Sequence, residues 1–431
     1  MIKVAKFGGS SCASAEQFRK VKDIVLSDKS RHYIVVSAPG KRASGDTKVT
    51  DLLYRLQDAV ADEKKFQETL QTIKDRYQEI IDGLGLDFSL AADFDRIEQD
   101  LKAGADRDYA ASRGEFLNAK LMAAYLGFSF IDSASCFVFK EDRSCDYQKT
   151  EEGIRAALKD IDYAVFPGFY GADETGKVVT FSRGGSDVTG SLLAAAEHVD
   201  LYENWTDVSG FLVADPRIVP NPEVIDYITY RELRELSYMG AGVLHEDAIF
   251  PVRREGIPIQ IKNTNRPEDH GTLIVQNTLK KPRFIITGVS GKKDFCAINI
   301  EKAMMNSEIG FARKLLSVLE DNNISFEHIP SGIDTMTLVI HQEELEHCEQ
   351  KILNGIQRAV NPDLIELESD IALIAVVGRG MKSSRGVAGR VFSALAHEYI
   401  NIKMIDQGSS ELNIIVGVDS ADFETAVRAI Y

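Results

Sequence analysis

The sequence predicts a mainly parallel αβα sandwich followed by two small α+β modules. Short apolar strands alternate with helical stretches over residues 1–280, as in chains whose helices cover both faces of a parallel sheet. Shorter elements begin after residue 280, and there the order strand, helix, strand, strand, helix occurs twice. A length of 431 residues fits two or three domains, which we expect at 1–280, 285–365 and 370–431.

The first strand, at 2–7, leads directly into the loop Gly8-Gly9-Ser10-Ser11. A helix follows, because Ser14 and Gln17 form a capping box and apolar residues recur after it at helical spacing. Residues 33–36 are uninterruptedly apolar, which is typical of a strand buried on both sheet faces. The chain therefore begins as strand, glycine loop, helix and strand.

The other elements of the first 280 residues follow from the same periodicities. A charged helix at 62–82 has one apolar face, and we expect it to be an exposed excursion. Strands are predicted at 128–131, 163–166, 178–181, 201–205 and 257–261, and helices at 116–126 and 188–197.

Two short sets of elements follow. The first has strands at 298–300, 324–328 and 337–340 with helices at 310–319 and 343–353. The second has strands at 372–377, 402–405 and 412–418 with helices at 387–397 and 421–430. Asn322-Asn323-Ile324-Ser325 and Tyr399-Ile400-Asn401-Ile402 join a helix to a strand at matching places, which indicates two modules of one design.

Charge and composition exclude several classes of partner. A formal net charge of −16 argues against a nucleic acid or an anionic membrane surface. Five scattered cysteines without a Cys-x-x-Cys pair suggest neither a disulfide framework nor a zinc site, and no histidine spacing suits a metal. Without a basic leader or an apolar span near ~18 residues, the chain is expected to be cytoplasmic.

Lys6 beside Gly8 and Gly9 offers what phosphoryl transfer needs, which is positive charge and backbone N–H donors around the phosphates. The Walker pattern is absent, which disfavours a P-loop enzyme. The alternative is a plain βα turn with a solvated lysine, and these residues alone leave both interpretations open.

Three further clusters contain polar residues suited to chemistry. In Arg183-Gly184-Gly185-Ser186-Asp187 the arginine can bind a carboxylate through two hydrogen bonds. The alternative for Ser186 is that it only caps a helix. Trp205-Thr206-Asp207-Val208-Ser209-Gly210, which runs on to Asp215-Pro216-Arg217, could be only a turn. Ser112-Arg113-Gly114-Glu115 opens a predicted helix, where Glu115 could have the purely structural role of a first-turn carboxylate that interacts favourably with the helix dipole.

Taken together and in this order, the four clusters resemble those of aspartate kinases, and the double module resembles their paired ACT domains. The resemblance covers essentially the whole chain. It implies an amino-acid kinase fold at 1–280 and two ferredoxin-like βαββαβ ACT modules at 285–365 and 370–431.

The resemblance also implies roles for individual residues. Catalysis would fall to Lys6, Gly8, Gly9 and Asp187, with Asp187 holding the lysine ammonium. L-aspartate would be bound by Ser37, Thr50, Glu115, Arg183, Gly184, Gly185 and Ser186. The nucleotide would be bound by Lys6, Gly8, Gly9, Ser10, Thr206, Asp207, Leu212, Arg217 and Lys262.

The implied reaction is transfer of a phosphoryl group from ATP, with Mg²⁺, to the side-chain carboxylate of L-aspartate. A carboxylate with a reference pKa near ~4 is already ionised at neutral pH, so the missing histidine base is expected. The alternatives are a glutamate or acetylglutamate kinase, or a non-catalytic amino-acid-sensing ACT protein.

By the same resemblance the ACT modules would bind a feedback inhibitor and join subunits. We expect lysine, with threonine as runner-up, and a homo-oligomer, either a dimer or a tetramer. The predicted effector pocket comprises Met305, Ser307, Gly310, Phe311, Ala312, Glu327 and Ser331. The alternative is that Met305 and Phe311 are core residues and Glu327 is solvated.

Overall fold

The computed structural model describes residues 1–182, 184–240, 244, 246–278 and 283–431, with the backbone alone at 246 and 247. These residues form two compact units. Within the described ranges, the first unit comprises Met1–Phe211, Val224–Tyr230 and Val243–Thr278, and the second comprises Leu212–Glu223, Arg231–Gly242 and Leu279–Tyr431. No described helix is both long enough and apolar enough to cross a membrane.

The chain up to residue 278 alternates strands with helices, as the sequence predicts. The strands are β1 (Lys3–Phe7), β2 (Arg31–Val36), β3 (Ser129–Phe130), β4 (Val138–Phe139), β5 (Ala164–Pro167), β6 (Tyr170–Asp173), β7 (Val178–Thr180), β8 (Leu201–Thr206), β9 (Tyr227–Thr229), β10 (Ile259–Asn263) and β11 (Thr272–Val275). The helices are α1 (Ala15–Ser27), α2 (Val49–Asp58), α3 (Glu63–Leu84), α4 (Ala91–Lys102), α5 (Arg107–Leu126), α6 (Tyr147–Leu158), α7 (Gly185–Ala196), α8 (Tyr230–Tyr238) and α9 (Glu246–Arg254).

The main sheet of the first unit has the order β3-β5-β2-β1-β8-β10-β11-β9. Its neighbouring strands are parallel except for β10 and β11, which confirms the predicted mainly parallel sheet. The chain leaves β1 toward β2 on one side and returns to β8 on the other. Such a reversal opens a crevice at the carboxyl ends of the strands, where ligands of open α/β sheets bind.

Helices cover both faces of this sheet. On one face, α1 to α5 pack with apolar side chains of β1 and β2, and on the other α7 packs against β1, β2 and β8. The prediction of an exposed helix at 62–82 is wrong. Phe66, Leu70, Ile73 and Tyr77 of α3 are fully buried in the core, because the apolar face of that helix packs on its neighbours.

A second, three-stranded sheet accounts for the predicted strand at 178–181. There β7 pairs antiparallel with β6 and not with the main sheet, and β6 pairs parallel with β4. Alternating apolar residues predict a strand but do not say which sheet it joins.

The second unit is an antiparallel α+β layer with the strand order β13-β12-β14-β16-β15. Its strands are β12 (Gly288–Glu301), β13 (Thr335–His341), β14 (Leu364–Val377), β15 (Met404–Asp406) and β16 (Asn413–Asp419). Its helices beyond α8 are α10 (Phe311–Glu320), α11 (Gln342–Leu345), α12 (Glu349–Val360), α13 (Val387–His397) and α14 (Phe423–Ile430).

Two long strands run through both modules of this unit. The register of β12 and β14 pairs Gly288 with Val377 at one end and Glu301 with Leu364 at the other. One half of this ribbon lies under the core of α10 and α12, and the other half lies under that of α13 and α14. Each module therefore contains one half of β12 and one half of β14. The order of elements in the sequence, two successive βαββα sets, does not predict that the strands are shared.

Two predicted elements of this unit differ in the structure. Residues 324–328 form no strand but a single bridge from His328 to Val339, because this segment runs beside β13 with little regular pairing. The predicted helix at 343–353 is interrupted between α11 and α12, since the backbone of Cys348 leaves the helical conformation.

Candidate functional site

A buried charge pair lies at the carboxyl end of the central strand. The Nζ atom of Lys6 is 2.6 Å from Oδ1 of Asp187, and both side chains are largely shielded from solvent. Asn204 donates from Nδ2 to the same oxygen at 2.7 Å, and Lys6 donates to Asn204 Oδ1 at 3.5 Å. The lysine ammonium is therefore held in one position by two partners.

Strand register explains how these residues meet. Lys6 on β1 pairs with Asn204 on β8, so both side chains project to the same face of the sheet, the face that α7 covers. Asp187 lies in the first turn of α7. The alternative interpretation, in which Ser186 only caps this helix, is wrong, because Gly184, with a φ of 59°, occupies the cap position and Ser186 already lies inside the helix.

The glycine loop after β1 touches the loop after β2 backbone to backbone. Gly40 donates its N–H to Gly9 O at 2.8 Å, and a Cβ added to Gly40 would lie 2.6 Å from the carbonyl carbon of Gly9. A Cβ on Gly9 would lie 3.0 Å from Ala38 O. Glycine is needed at both positions because the two loops leave no room for side chains.

Several backbone N–H groups at this edge are available for an anion. In the part of the chain that the structure describes, the N–H groups of Gly9, Ser10, Gly185 and Ser186 donate to no protein acceptor. Gly8 differs, because it donates to Trp205 O at 3.0 Å. A glycine loop and a helix N-terminus that face the same crevice suit phosphate or carboxylate oxygens.

Glu115 is a buried carboxyl group. The expectation that its motif opens a helix is wrong, because α5 begins at Arg107, where Asp106 caps it by accepting from Tyr109 N, and Glu115 lies in the helix interior. The side chain is 5% exposed, and its Oε2 atom has no hydrogen-bond partner among the described residues. Burial raises the pKa of Glu115 to about 8.

Asn118 lies on the same face of α5 as Glu115, one turn further on. It donates from Nδ2 to Ser37 O at 2.6 Å, while its Oδ1 is buried without a partner among the described residues. Ser37 follows β2 and donates its N–H to Phe7 O at 3.1 Å. Thr50 is the second residue of the neighbouring helix α2 and is half-buried.

The carboxyl ends of β8 and β10 form the other side of the crevice. Thr206 accepts at its carbonyl from Thr264 N at 2.8 Å, and Asp207 is exposed. Lys262 donates from Nζ to the carbonyl oxygens of Pro267 and Asp269 at 2.9 and 2.6 Å. Burial lowers the pKa of Lys262. Its ammonium is therefore engaged in holding the loop that follows β10.

Three of the predicted residues lie elsewhere or outside the described ranges. Leu212 and Arg217 belong to the second unit, where the exposed Arg217 forms a bidentate pair with Asp215. Arg183 lies outside the described residues.

The predicted effector residues all lie in the first module of the second unit. Met305 and Phe311 are buried in its core, whereas Ser307, Gly310, Ala312 and Ser331 are exposed around the start of α10. Glu327 is half-buried and lies close to α8. Burial and the neighbouring Glu327 carboxylate raise the pKa of the Tyr238 hydroxyl.

Sequence reasoning missed two residues of the crevice, Asn118 and Asn204. Asn204 could have been found from register alone, since it occupies the same place on β8 as Lys6 occupies on β1. Asn118 follows Glu115 by three residues, which puts both on one helix face, but only if the helix start is known.

Comparisons with known proteins agree across the whole chain. Residues 1–263 match the model of the amino acid kinase family, and residues 374–431 match an ACT domain. Aspartokinase 3 of Bacillus subtilis is 40% identical over 100% of this chain and 98% of its own length.

Solved structures give the same result. The crystal structure of Clostridium acetobutylicum aspartate kinase superposes with a TM-score of 0.89 at 52% identity and covers 100% of this chain and 99% of that one. Escherichia coli aspartokinase III is 26% identical. Its complexes with aspartate and ADP and with lysine and aspartate give TM-scores of 0.76 and 0.73, covering 100% of this chain and 99% and 98% of those chains.

Proposed function

This chain belongs to the amino acid kinase family and is an aspartate kinase with C-terminal ACT domains, and from that premise we propose how it works. It transfers the γ-phosphoryl group of ATP to the side-chain carboxylate of L-aspartate and so makes 4-phospho-L-aspartate. The observation that carries the proposal is the buried Lys6–Asp187 pair at the edge of the sheet, 2.6 Å from nitrogen to oxygen.

Lys6 stabilises the charge that spreads over the transferred oxygens. Its ammonium is oriented before substrate arrives by Asp187 and Asn204, so little reorganisation is needed during the reaction. The N–H groups of Gly9 and Ser10 receive the phosphate oxygens. Thr206 and Asp207, at the end of the next strand, contact the nucleotide, and Leu212, Arg217 and Lys262 are proposed for the same role.

Mg²⁺ fits this arrangement as a companion of the nucleotide. No group of three or more metal-binding side chains occurs among the described residues, so protein carboxylates alone would not hold the ion. Both contacts to the Asp187 side chain that the structure describes use Oδ1, so the same carboxylate would be the group that holds Mg²⁺ beside the phosphates. When bound, the ion would neutralise phosphate charge.

The acceptor L-aspartate needs an anion-binding group, a cation-binding group and no base. The unpaired carboxylate oxygen of Glu115 binds the α-ammonium, and Arg183 with the start of α7 binds the α-carboxylate. Ser37 and Thr50 complete the pocket. The reacting carboxylate is ionised at neutral pH, so orienting the two anions is the main task of the protein.

Aspartate-dependent ADP formation tests the proposal directly. Lys6→Ala should abolish turnover, whereas Lys20→Ala, which removes a partly exposed lysine of α1 paired with Glu16, should leave it unchanged. Glutamate and N-acetylglutamate in place of aspartate test the alternative acceptors. Near-normal turnover by Lys6→Ala, or faster phosphorylation of either alternative acid, would contradict the proposal.

We propose further that lysine inhibits through the first ACT module, with Glu327 binding its side-chain ammonium. The support is the half-buried carboxylate of Glu327 beside Tyr238, together with the relative solved with lysine. Glu327→Ala should raise the lysine concentration needed for half-inhibition at least tenfold, and Glu343→Ala, at an exposed position of α11, should not. Inhibition by threonine alone would overturn the choice of lysine.

The ACT modules are also proposed to join subunits into a dimer or tetramer. Met304, Ile309 and Ile333 are 69%, 96% and 71% exposed, and such apolar side chains favour burial by a second copy. Light scattering should give at least twice the chain mass. Changing all three to serine should give the mass of one chain, and a native enzyme that already has that mass would refute the idea.

A further inference from the structure

A polar segment at residues 40–48 joins β2 to α2, and the proposed reaction gives most of it no role. It forms no helix or strand, and most of its side chains are exposed. Its two ends are nevertheless fixed, because Gly40 donates its N–H to Gly9 O at 2.8 Å and Val49 donates its N–H to Pro39 O at 3.2 Å. The segment is therefore a closed loop whose base lies against the glycine loop.

Arg76 reaches this segment from α3. Its side chain is 5% exposed, and its Nη2 atom donates to Gly40 O at 2.8 Å. Its Nη1 atom lies 2.5 Å from Oδ2 of Asp46. The planar guanidinium can donate in two directions at once, so one buried side chain holds both the beginning of the segment and a residue near its end.

The backbone of Gly40 passes this contact on to the glycine loop. A Cβ added to Gly40 would lie 2.6 Å from the carbonyl carbon of Gly9 and 2.9 Å from Ser10 N. Gly40 therefore lies directly against the peptide group that joins Gly9 and Ser10. Any shift of Gly40 toward the loop would move that peptide group, because no space separates the two backbones.

Asp46 is itself held in one orientation. It accepts at Oδ2 from the backbone N–H of Arg42 at 3.0 Å and from Arg42 Nε at 2.9 Å, and at Oδ1 from Thr47 N at 3.0 Å. Hydrogen bonds from Arg42, and then from Arg76, hold the pKa of Asp46 well below its usual range. On the outer side, Arg42 Nη1 lies 2.5 Å from Glu79 Oε2. A fixed and ionised carboxylate therefore faces the buried guanidinium.

We propose that Arg76 is a positioning residue for the nucleotide phosphates, because it holds Gly40 in place and so fixes the N–H groups of Gly9 and Ser10. The inference rests on the proposed role of these N–H groups in binding phosphate oxygens. Asp46 orients Arg76, and Arg76 acts through Gly40. Donors fixed in this way need no rearrangement during phosphoryl transfer, and a misplacement of about 1 Å can cost about a hundredfold in rate.

Steady-state kinetics of the full chain, with ATP varied at saturating aspartate, test the inference. Arg76→Met removes both contacts and should lower kcat/KM for ATP about tenfold, while KM for aspartate stays unchanged. Arg42→Met is the matched control. It removes an arginine that pairs with the same Asp46 but, among the contacts that the structure describes, does not bind Gly40, and it should keep the native values. Native kcat/KM for ATP in Arg76→Met, or an equal loss in Arg42→Met, would overturn the inference.

Asp46→Asn provides a second test at a half-buried position, where the change is isosteric. It should lower kcat/KM for ATP about threefold, because Arg76 loses the charge that orients it. Combined with Arg76→Met, it should cause no further loss, since Asp46 acts on the nucleotide only through Arg76. Native kinetics in Asp46→Asn, or a combined loss equal to the product of the two single losses, would overturn the inference.

Calorimetric binding gives a readout that does not depend on turnover. Arg76→Met should bind the non-hydrolysable analogue β,γ-imido-ATP about tenfold more weakly than the native enzyme. Adenosine carries no phosphate and should bind both proteins equally. A merely structural role for Arg76 would leave both affinities unchanged or weaken both to the same extent, and either result would overturn the inference.

Gly40→Ala separates the two possible failures, because its Cβ would displace Gly9 directly. If Gly40→Ala and Arg76→Met both bind β,γ-imido-ATP as tightly as the native enzyme, the proposed role of the glycine loop is wrong. If Gly40→Ala binds it more weakly while Arg76→Met binds it normally, only the inference about Arg76 is overturned.

Discussion

Replacing Glu203 by glutamine should destabilise the first unit by about 4 kcal/mol. Glu203 lies on β8 and is 2% exposed. It accepts from Arg31 Nε at 2.7 Å, from Lys3 Nζ at 3.1 Å and from Trp205 Nε1 at 2.8 Å. One carboxylate therefore joins three neighbouring strands.

The magnitude follows from what glutamine would leave behind. Breaking a buried ion pair on one side costs roughly 3–5 kcal/mol, because the remaining charge loses its compensation. Here Arg31 and Lys3 both lose a partner, but Lys3 keeps Asp28 at 2.7 Å, so we take the middle of that range. The NH₂ group of the new amide would also face N–H groups that now donate to the carboxylate, and two donors form no hydrogen bond. With an m value of about 3 kcal/mol/M, the urea midpoint should fall by roughly 1 M.

Urea unfolding followed by tryptophan emission reports on the first unit, because Trp205, the single tryptophan of the chain, lies in that unit. Glu16→Gln is the matched control. It makes the same change at an exposed carboxylate, which pairs with the partly exposed Lys20, and should leave the midpoint unchanged. An unchanged midpoint for Glu203→Gln, at an unchanged m value, would refute the reasoning.

Three further predictions concern the crevice. Gly40→Ala should lower kcat/KM for ATP at least tenfold because its Cβ would displace Gly9, whereas Gly45→Ala, with open space around it, should match the native enzyme in the same assay. Glu115→Gln should raise the thermal midpoint of the unliganded protein at pH 8.5 and have less effect at pH 6. Because the pKa of Glu115 is raised, its protonated form stabilises the folded protein, and this stabilisation is lost as the pH rises through about 8. An equal gain at both pH values would contradict this reasoning. Asn204→Ala should reduce kcat about tenfold with little change in either KM, because the buried lysine loses one of its two orienting partners, and a change confined to KM would contradict that reason.

Local signals in the sequence predicted the structure correctly where the information lies within a single helix or strand. Ser14 caps α1 by accepting from Gln17 N, which is one half of the predicted capping box, whereas Gln17 Oε1 has no hydrogen-bond partner among the described residues and so does not complete it. The apolar residues after the cap are the buried ones. The helix at 387–397 was predicted with the bounds that α13 has. In such cases the 3.6-residue period and the cap carry the information.

The sequence did not predict the features that depend on contacts between segments distant along the chain. Glu115 reads as a first-turn carboxylate until Asp106 is recognised as the cap of α5, nine residues earlier, and its burial depends on helices that pack later. A strand was predicted at 178–181 and β7 is found at Val178–Thr180, but the sheet that it joins depends on β6. Lys6 and Asp187 are 181 positions apart, and strand register and helix placement bring them together.

The long strands β12 and β14 have a consequence for how the regulatory half of the chain can be taken apart. Each strand supplies its beginning to one module and its end to the other. No single cut in the chain would release one module with all of its strands. A fragment covering 374–431 would lack β12 and would expose the edge that β12 covers, which invites aggregation. The two modules should therefore gain and lose their structure as one cooperative unit, even though the repeat suggests two separable parts.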